Sequence, residues 1–339
     1  MAPSDTVSLV IPIRNESAHI DECLRAVTRQ SYPRHLLEVI VVDGDSTDGT
    51  RARLQAWMGR DDRIRLLDNP RRSMIPGLNL GIAAATGAYV GCVSGHSELP
   101  AEYVATCVTV LQRHEAWGVG AGIERRALSP LQRAIGRAQS HWFGVGGAFH
   151  NYGTRSGWAE AIFPGFWPRW VFERVGDFDE SMAFNEDNEL SHRIARAGGR
   201  LWYEPSLQVG YFPRRSLGAL ARQYWGYARG KASLFGTHLD AVRARHLAPA
   251  ALVAGLVAGV MLSVALPVAR LPTVVIGVGY VVAAVATAAV SRRPGDSVIL
   301  VSAAFVTMHL AYGAGLWWGV GAALAGRLSR GARRSRPTT

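Results

Sequence analysis

The spacing of apolar residues changes along this chain and divides it in two. Residues 7–11 form an apolar stretch rich in β-branched side chains, which predicts a buried parallel strand broken by Pro12 and Asn15. Ile20, Cys23, Leu24 and Val27 then recur at i, i+3, i+4 and i+7, the buried stripe of a helix. Residues 37–42 predict a second strand ending at Asp43. Leu54, Trp57 and Met58 stripe a helix entered through residues 46–50, where Asp48 or Thr50 is placed to cap it. Residues 64–67, 78–85 and 89–93 read as strand, helix and strand. Alternation at this interval predicts an α/β domain with a parallel sheet covered on both faces. Ligands in such sheets sit beyond the carboxyl ends of the strands, where Asp43 and residues 94–96 fall. The next stretch is less regular: 144–147 and 151–157 read as loop, 171–175 and 186–197 as helix.

The pattern changes again near residue 240. Residues 247–269, 271–291 and 297–326 carry no charge, and each run is long enough to cross a hydrocarbon core of ~30 Å. The expected organisation is a soluble domain over 1–240, about three transmembrane helices over 247–326 and a basic tail over 327–339.

Charge sharpens this picture. The chain has 37 Lys and Arg against 26 Asp and Glu, a formal +11, yet Lys231 is its only lysine. Beside three apolar runs, that excess reads as contact with anionic headgroups and as a topology signal rather than as nucleic-acid binding. Residues 1–8 lack the apolar core of a secretory signal, so the first domain is expected in the cytoplasm, on a multi-pass protein of the cell membrane. Three cysteines without metal spacing fit reduced thiols. The basic residues at 243–246 and Arg292–Arg293 favour the cytoplasmic side. Three crossings would then leave the basic tail outside, against the same rule; a hairpin within 297–326 would return it. His309 inside that run is a candidate for headgroup contact or for packing between helices.

The chemistry-bearing segments are VSLVIPIRNE (7–16), VVDGDSTDGT (41–50), GLNLGIAAATGAYV (77–90), GDFDESMAFNEDNELSHRI (176–194) and RQYWGYARGK (222–231). In this order they resemble glycosyltransferase family 2, over roughly residues 7–235, and within it the succinoglycan-biosynthesis-type membrane glycosyltransferases. The resemblance implies the GT-A fold, a mostly parallel mixed sheet with helices on both faces, and a nucleotide diphosphate sugar as donor. It places Pro12, Arg14 and Glu16 at the base and ribose. Asp43 matches the first aspartate of the family's Asp-Asp pair. Gly44 replaces the second, and Asp45 is the substitute.

The family's Asp-x-Asp metal motif is replaced by Ser94, Gly95 and His96. Serine is a poor ligand for Mg²⁺. His96 with Glu98 is the candidate holder of a divalent cation, Mn²⁺ or Mg²⁺, and arginine is the electrostatic substitute for it. Glu186 and Asp187 match the family's Glu-Asp pair, which makes Asp187 the candidate general base and Glu186 its neighbour at the acceptor. Read as residues alone, the pair equally enriches a helix N-terminus. Arg222, Gln223 and Trp225 stand where related synthases carry an acceptor-channel motif, and equally where an interfacial helix places basic and aromatic anchors.

The expected activity is inverting transfer of a sugar, from a UDP-sugar as first choice, to a lipid-linked acceptor at the membrane in polysaccharide or glycolipid synthesis. Two alternatives stay open: a polyprenyl-phosphate sugar synthase, and a non-catalytic nucleotide-sugar-binding membrane protein.

Overall fold

The computed structural model describes residues 5–146, 153–182, 184–237 and 242–334. They fold as two compact units that interleave in sequence: Met1–Arg125, Phe149–Ser181 and Glu186–Phe212 make the first, and Arg126–Ala148, Met182–Asn185 and Pro213–Thr339 the second.

The first unit opens with β1 (Val7–Ile13), α1 (Ile20–Thr28), β2 (Leu37–Asp43), α2 (Thr50–Met58), β3 (Ile64–Asp68), α3 (Met74–Ala84), β4 (Tyr89–Cys92), α4 (Tyr103–His114) and β5 (Gly118–Arg125). The chain then enters the second unit as α5 (Pro130–Gln139) and α6 (Trp142–Val145). It returns for β6 (Gly157–Ala159), β7 (Gly165–Pro168), α7 (Trp170–Val175), α8 (Glu186–Arg196) and β8 (Leu201–Tyr211). The second unit ends in α9 (Leu217–Thr237), α10 (Ala244–Ala265), α11 (Arg270–Ser291) and α12 (Val298–Arg334).

Among the described residues the strands form one sheet in the order β3-β2-β1-β4-β7-β5-β8-β6. The neighbours β3, β2, β1 and β4 are parallel, while β7 runs antiparallel to both β4 and β5. The predicted stripe of α1 is buried in full, with Ile20, Cys23, Leu24 and Val27 packed in one cluster with Leu9, Ile11, Val39 and Val41. Each such aliphatic side chain contributes about 1.5–3 kcal/mol on burial. Pro12 lies inside β1 instead of ending it. Pairing with β4 stops at Val10, so the missing N–H of Pro12 leaves no gap in that ladder.

In the second unit, α5 begins on a Ser129 cap that accepts from the Gln132 N–H at 3.2 Å. Its Ala134, Ile135 and Ala138 are buried with Leu220 and Tyr224 of α9 and with Val301, Phe305 and Met308 of α12. Arg137 meets the carboxylate of Asp296, itself 1% exposed, at 2.9 Å. Both α5 and α9 therefore pack with the carboxyl-terminal helices, although they fall within the 240 residues whose pattern reads as soluble. Among the described residues, three helices are long and apolar enough to cross a membrane. Val257, Val260, Met261, Val264, Val274, Val275, Ile276, Val278 and Val282 of α10 and α11 are exposed, an apolar surface suited to lipid. The last helix runs unbroken from Val298 to Arg334, so the hairpin within 297–326, the alternative to a third crossing, is not there.

Candidate active site

Because the chain moves from β1 to β2 and β3 on one side and to β4 on the other, the sheet has its topological switch between β1 and β4. A cleft of about 410 Å³, open to solvent, lies at the carboxyl ends of those two strands. Pro12 comes from β1, with Cys92, Val93 and Ser94 from the end of β4. Met74 and Leu78 of α3 form one wall; Ile162, Phe163, Gly165 and Trp167 around β7 form another. Phe178 and the carboxylates of Glu186 and Asp187 complete it. Its apolar wall with a few convergent polar groups suits a small-molecule site.

The acidic pair is held there by a braced segment. Asn79 of α3 binds the backbone of Phe178 at both ends, accepting from its N–H at 3.1 Å and donating to its carbonyl at 2.9 Å. Arg193 of α8 binds Glu189 at 2.7 Å and donates to the carbonyls of Val175, Gly176 and Asp177. Asp187 Oδ1 accepts from the N–H and side-chain amide of Asn188 at 2.8 and 3.0 Å, while Oδ2 has no protein partner among the described residues. Burial first, and then the neighbouring charge of Asp187, pushes the Glu186 carboxyl up to about 7. A carboxyl raised in this way is common where a site handles a proton.

The loops after β1 and β2 are stitched together. Asn15 donates from its N–H to Ser46 Oγ at 2.8 Å and accepts from the Thr47 N–H at 2.8 Å. Glu16 N–H donates to Thr50 Oγ1 at 2.9 Å. Asp48 accepts from Thr50 and from the Ser17 N–H, and the Thr50 hydroxyl holds its carboxyl far below the usual range. Asp43 is fully buried, its carboxylate engaged by Ser46 Oγ at 2.5 Å and Arg51 Nη1 at 3.0 Å. Asp45, an exposed carboxylate of this turn, adopts a positive φ of 59° and pairs with Arg72. Arg14, also exposed, donates to the Arg72 carbonyl at 3.3 Å.

On the turn after β4, Glu16 Oε1 lies 3.0 Å from His96 Nδ1. Gly95 permits this approach, since a Cβ there would come within 2.6 Å of Ile13 Cγ2 and 3.2 Å of Glu16 Cγ. Among the described residues no three His, Cys, Asp or Glu side chains gather as a metal cage. The turn offers one donor, His96 Nε2, to a cation whose other ligands would come from substrate. A carboxylate on Nδ1 fixes the tautomer that leaves Nε2 as the ligand atom, as second-shell carboxylates do for metal-bound histidines.

Arg222, Gln223 and Trp225 belong to α9 of the second unit, where Arg222 is exposed and Gln223 is buried and donates to the Tyr227 hydroxyl at 2.8 Å. Of the GVGG segment, Gly147 lies outside the described residues, as do residues 151 and 152 of the expected loop that follows. Sequence reasoning did not find Met74, Leu78, Cys92, Phe163, Trp167 or Phe178. The aromatic run at 166–167 beside the GDFD segment was the one available signal.

Residues 8–163 match the family model described as "Glycosyl transferase family 2". The succinoglycan biosynthesis protein ExoA of Rhizobium meliloti (strain 1021) is 32% identical over 315 residues, covering 91% of this chain and 93% of that protein. Glycosyltransferase AglE of Haloferax volcanii is 25% identical over 257 residues, 73% of this chain and 79% of its own. Among solved structures, the mannosyltransferase PcManGT from Pyrobaculum calidifontis, in complex with GDP-Man and Mn²⁺, superposes with a TM-score of 0.60 at 23% identity. It covers 90% of this chain and 86% of that one, a likeness of fold. With a GT-A sheet, a cleft at its switch point and a near-full-length relative, the chain is a glycosyltransferase and belongs to glycosyltransferase family 2.

Proposed function

We propose that this protein is a membrane-anchored, inverting glycosyltransferase that moves a sugar from a nucleoside diphosphate sugar, UDP-linked as first choice, to a lipid-linked acceptor in polysaccharide or glycolipid assembly. The observation that carries this reading is the cleft that joins Asp187 and Glu186 to Pro12 and Ser94 at the tips of β1 and β4. The base and ribose rest on the stitched loops bearing Arg14, Glu16 and Asp45, whose turn Asp43 shapes from within. His96 Nε2 and the diphosphate oxygens would hold a divalent cation, which when bound offsets charge on the departing diphosphate. In the transfer, an acceptor oxygen forms the new bond to the anomeric carbon from the face opposite the leaving group. The bond to the diphosphate oxygen breaks, its electron pair stays with the diphosphate, and the acceptor proton passes to Asp187 Oδ2.

Two further observations support the lipid side of this reading. The chain carries helices long and apolar enough for a bilayer. A similar protein of Methanococcus voltae, 23% identical over 66% of this chain and 72% of its own, is named for transfer to a dolichyl-phosphate-linked sugar. A donor screen on membranes containing the protein, run with EDTA and with added Mn²⁺ or Mg²⁺, tests it. Transfer to a lipid-linked saccharide supports the proposal. Transfer to lipid phosphate alone makes the protein a polyprenyl-phosphate sugar synthase, and donor binding without turnover makes it a non-catalytic binder.

A further inference from the structure

The last apolar helix does not run as a third crossing would. Helices α10 and α11 form an antiparallel hairpin in which Gly259 meets Thr273 and Gly277 meets Leu256. Continued at that register, Val253 is level with Tyr280 and Ala250 with Ala283. Helix α12 starts alongside the end of α11, where Val301, Ala304 and Phe305 share a cluster with Ala284 and Ala288. Further on, His309 Nδ1 lies 2.9 Å from the Tyr280 hydroxyl. A crossing antiparallel to α11 would next carry Trp317 to the level of Pro272, beside the hairpin's turn.

Instead, Trp317 Nε1 donates to the Ala250 carbonyl at 2.8 Å, and Gly313 packs on Pro249 and Val253. Trp317 therefore stops roughly 15 Å short of that level at 1.5 Å per residue. Over its second half α12 gains no depth in the hairpin; it passes obliquely across the half that holds the two chain ends.

A second observation comes from α9. It runs parallel to α12, with Gly315 on Trp225 and Ala228 and Gly319 on Arg229 and Ala232. Arg222 and Arg229 are exposed on that helix, so a perpendicular α12 would draw guanidinium groups into hydrocarbon. Burial agrees: 39% of the most apolar window of α12 lies inside the protein, against 6% and 11% for α10 and α11.

We infer that the chain crosses the bilayer twice, through α10 and α11, and that α12 lies with α9 at the surface of the membrane, its exposed Trp317 and Trp318 among the headgroups. The carboxyl end of α12 then stays on the side from which α10 enters. Arginines at the hairpin's open end (Arg243, Arg245, Arg292, Arg293) and only Arg270 near its turn favour the same orientation.

The inference rests on α10 and α11 spanning the bilayer, and the test separates the two statements. Val268→Cys, near the exposed turn of the hairpin, and Thr339→Cys, in the tail, are each placed in the full-length chain. Spheroplasts are treated with a membrane-impermeant maleimide before or after lysis, with the parent chain reporting the native thiols. Val268→Cys is expected to label in intact spheroplasts and Thr339→Cys only after lysis. Labelling of Thr339→Cys in intact spheroplasts overturns the surface placement of α12. Loss of labelling at Val268→Cys in intact spheroplasts overturns the spans beneath it.

Discussion

Glu16 and His96, 80 residues apart in the chain, are joined side chain to side chain at 3.0 Å across the tips of β1 and β4. That contact gives one imidazole a fixed ring orientation and a defined tautomer. Glu16→Ala should therefore raise the Mn²⁺ concentration needed for half-maximal transfer by about 10- to 100-fold, the usual cost of losing an outer-shell carboxylate. A Mn²⁺ titration of sugar transfer with saturating donor measures it, and an unchanged midpoint would remove the orienting role.

Gly95 has to remain side-chain-free for that contact to form. Gly95→Ala puts a methyl group 2.6 Å from Ile13 Cγ2, and the turn must shift away from β1. An overpacking penalty of about 1–3 kcal/mol follows. Thermal melts of the solubilised chain should show the loss, with donor affinity falling as His96 leaves Glu16.

Glu186 predicts a pH signature. Its carboxyl is pushed up to about 7 by burial and then by the charge of Asp187, above the ordinary 4.5. The folded state thus binds a proton more readily than the unfolded chain. The stability this contributes is complete below the ordinary value and is lost as pH rises through about 7. Across that window the melting temperature should fall in the wild type, and Glu186→Gln should flatten the fall. An equal slope in both proteins would contradict the assignment.

The Arg137–Asp296 pair predicts the behaviour of the second unit. Removing the arginine takes the ion-pair partner from a carboxylate 1% exposed, which keeps the Arg293 N–H and the more distant charge of Arg133. Arg137→Ala should cost about 3–5 kcal/mol, and adding Asp296→Asn should recover part of it. Melts of the single and double variants decide this; equal losses in both would show that the charge is not what matters.

How much of this was legible in the sequence depends on the range of the interactions involved. The elements from Val7 to Cys92 follow largely from local periodicity: β1, α1 and β2 bury their own stripes, whereas Met58 of the stripe expected on α2 is exposed. The cleft's far wall was not legible. Trp167 reaches it only because β7, four residues long, inserts antiparallel between β4 and β5, and Phe178 because Asn79 of α3 holds its backbone, pairings of distant segments with no local pattern. Asp43 reads as an open ligand from its place at a strand end, but Arg51, in the first turn of the following helix, closes over it. Hydropathy likewise reports that residues 297–326 are apolar; it does not report that Gly315 and Gly319 are spaced to receive α9.

The most direct test of the central claim is sugar transfer by Asp187→Asn, measured beside donor binding by calorimetry on the same preparation. The account predicts that transfer falls by about 10²- to 10⁴-fold, as for the loss of a general base, while donor affinity stays near the wild-type value. Transfer at the wild-type rate would contradict it.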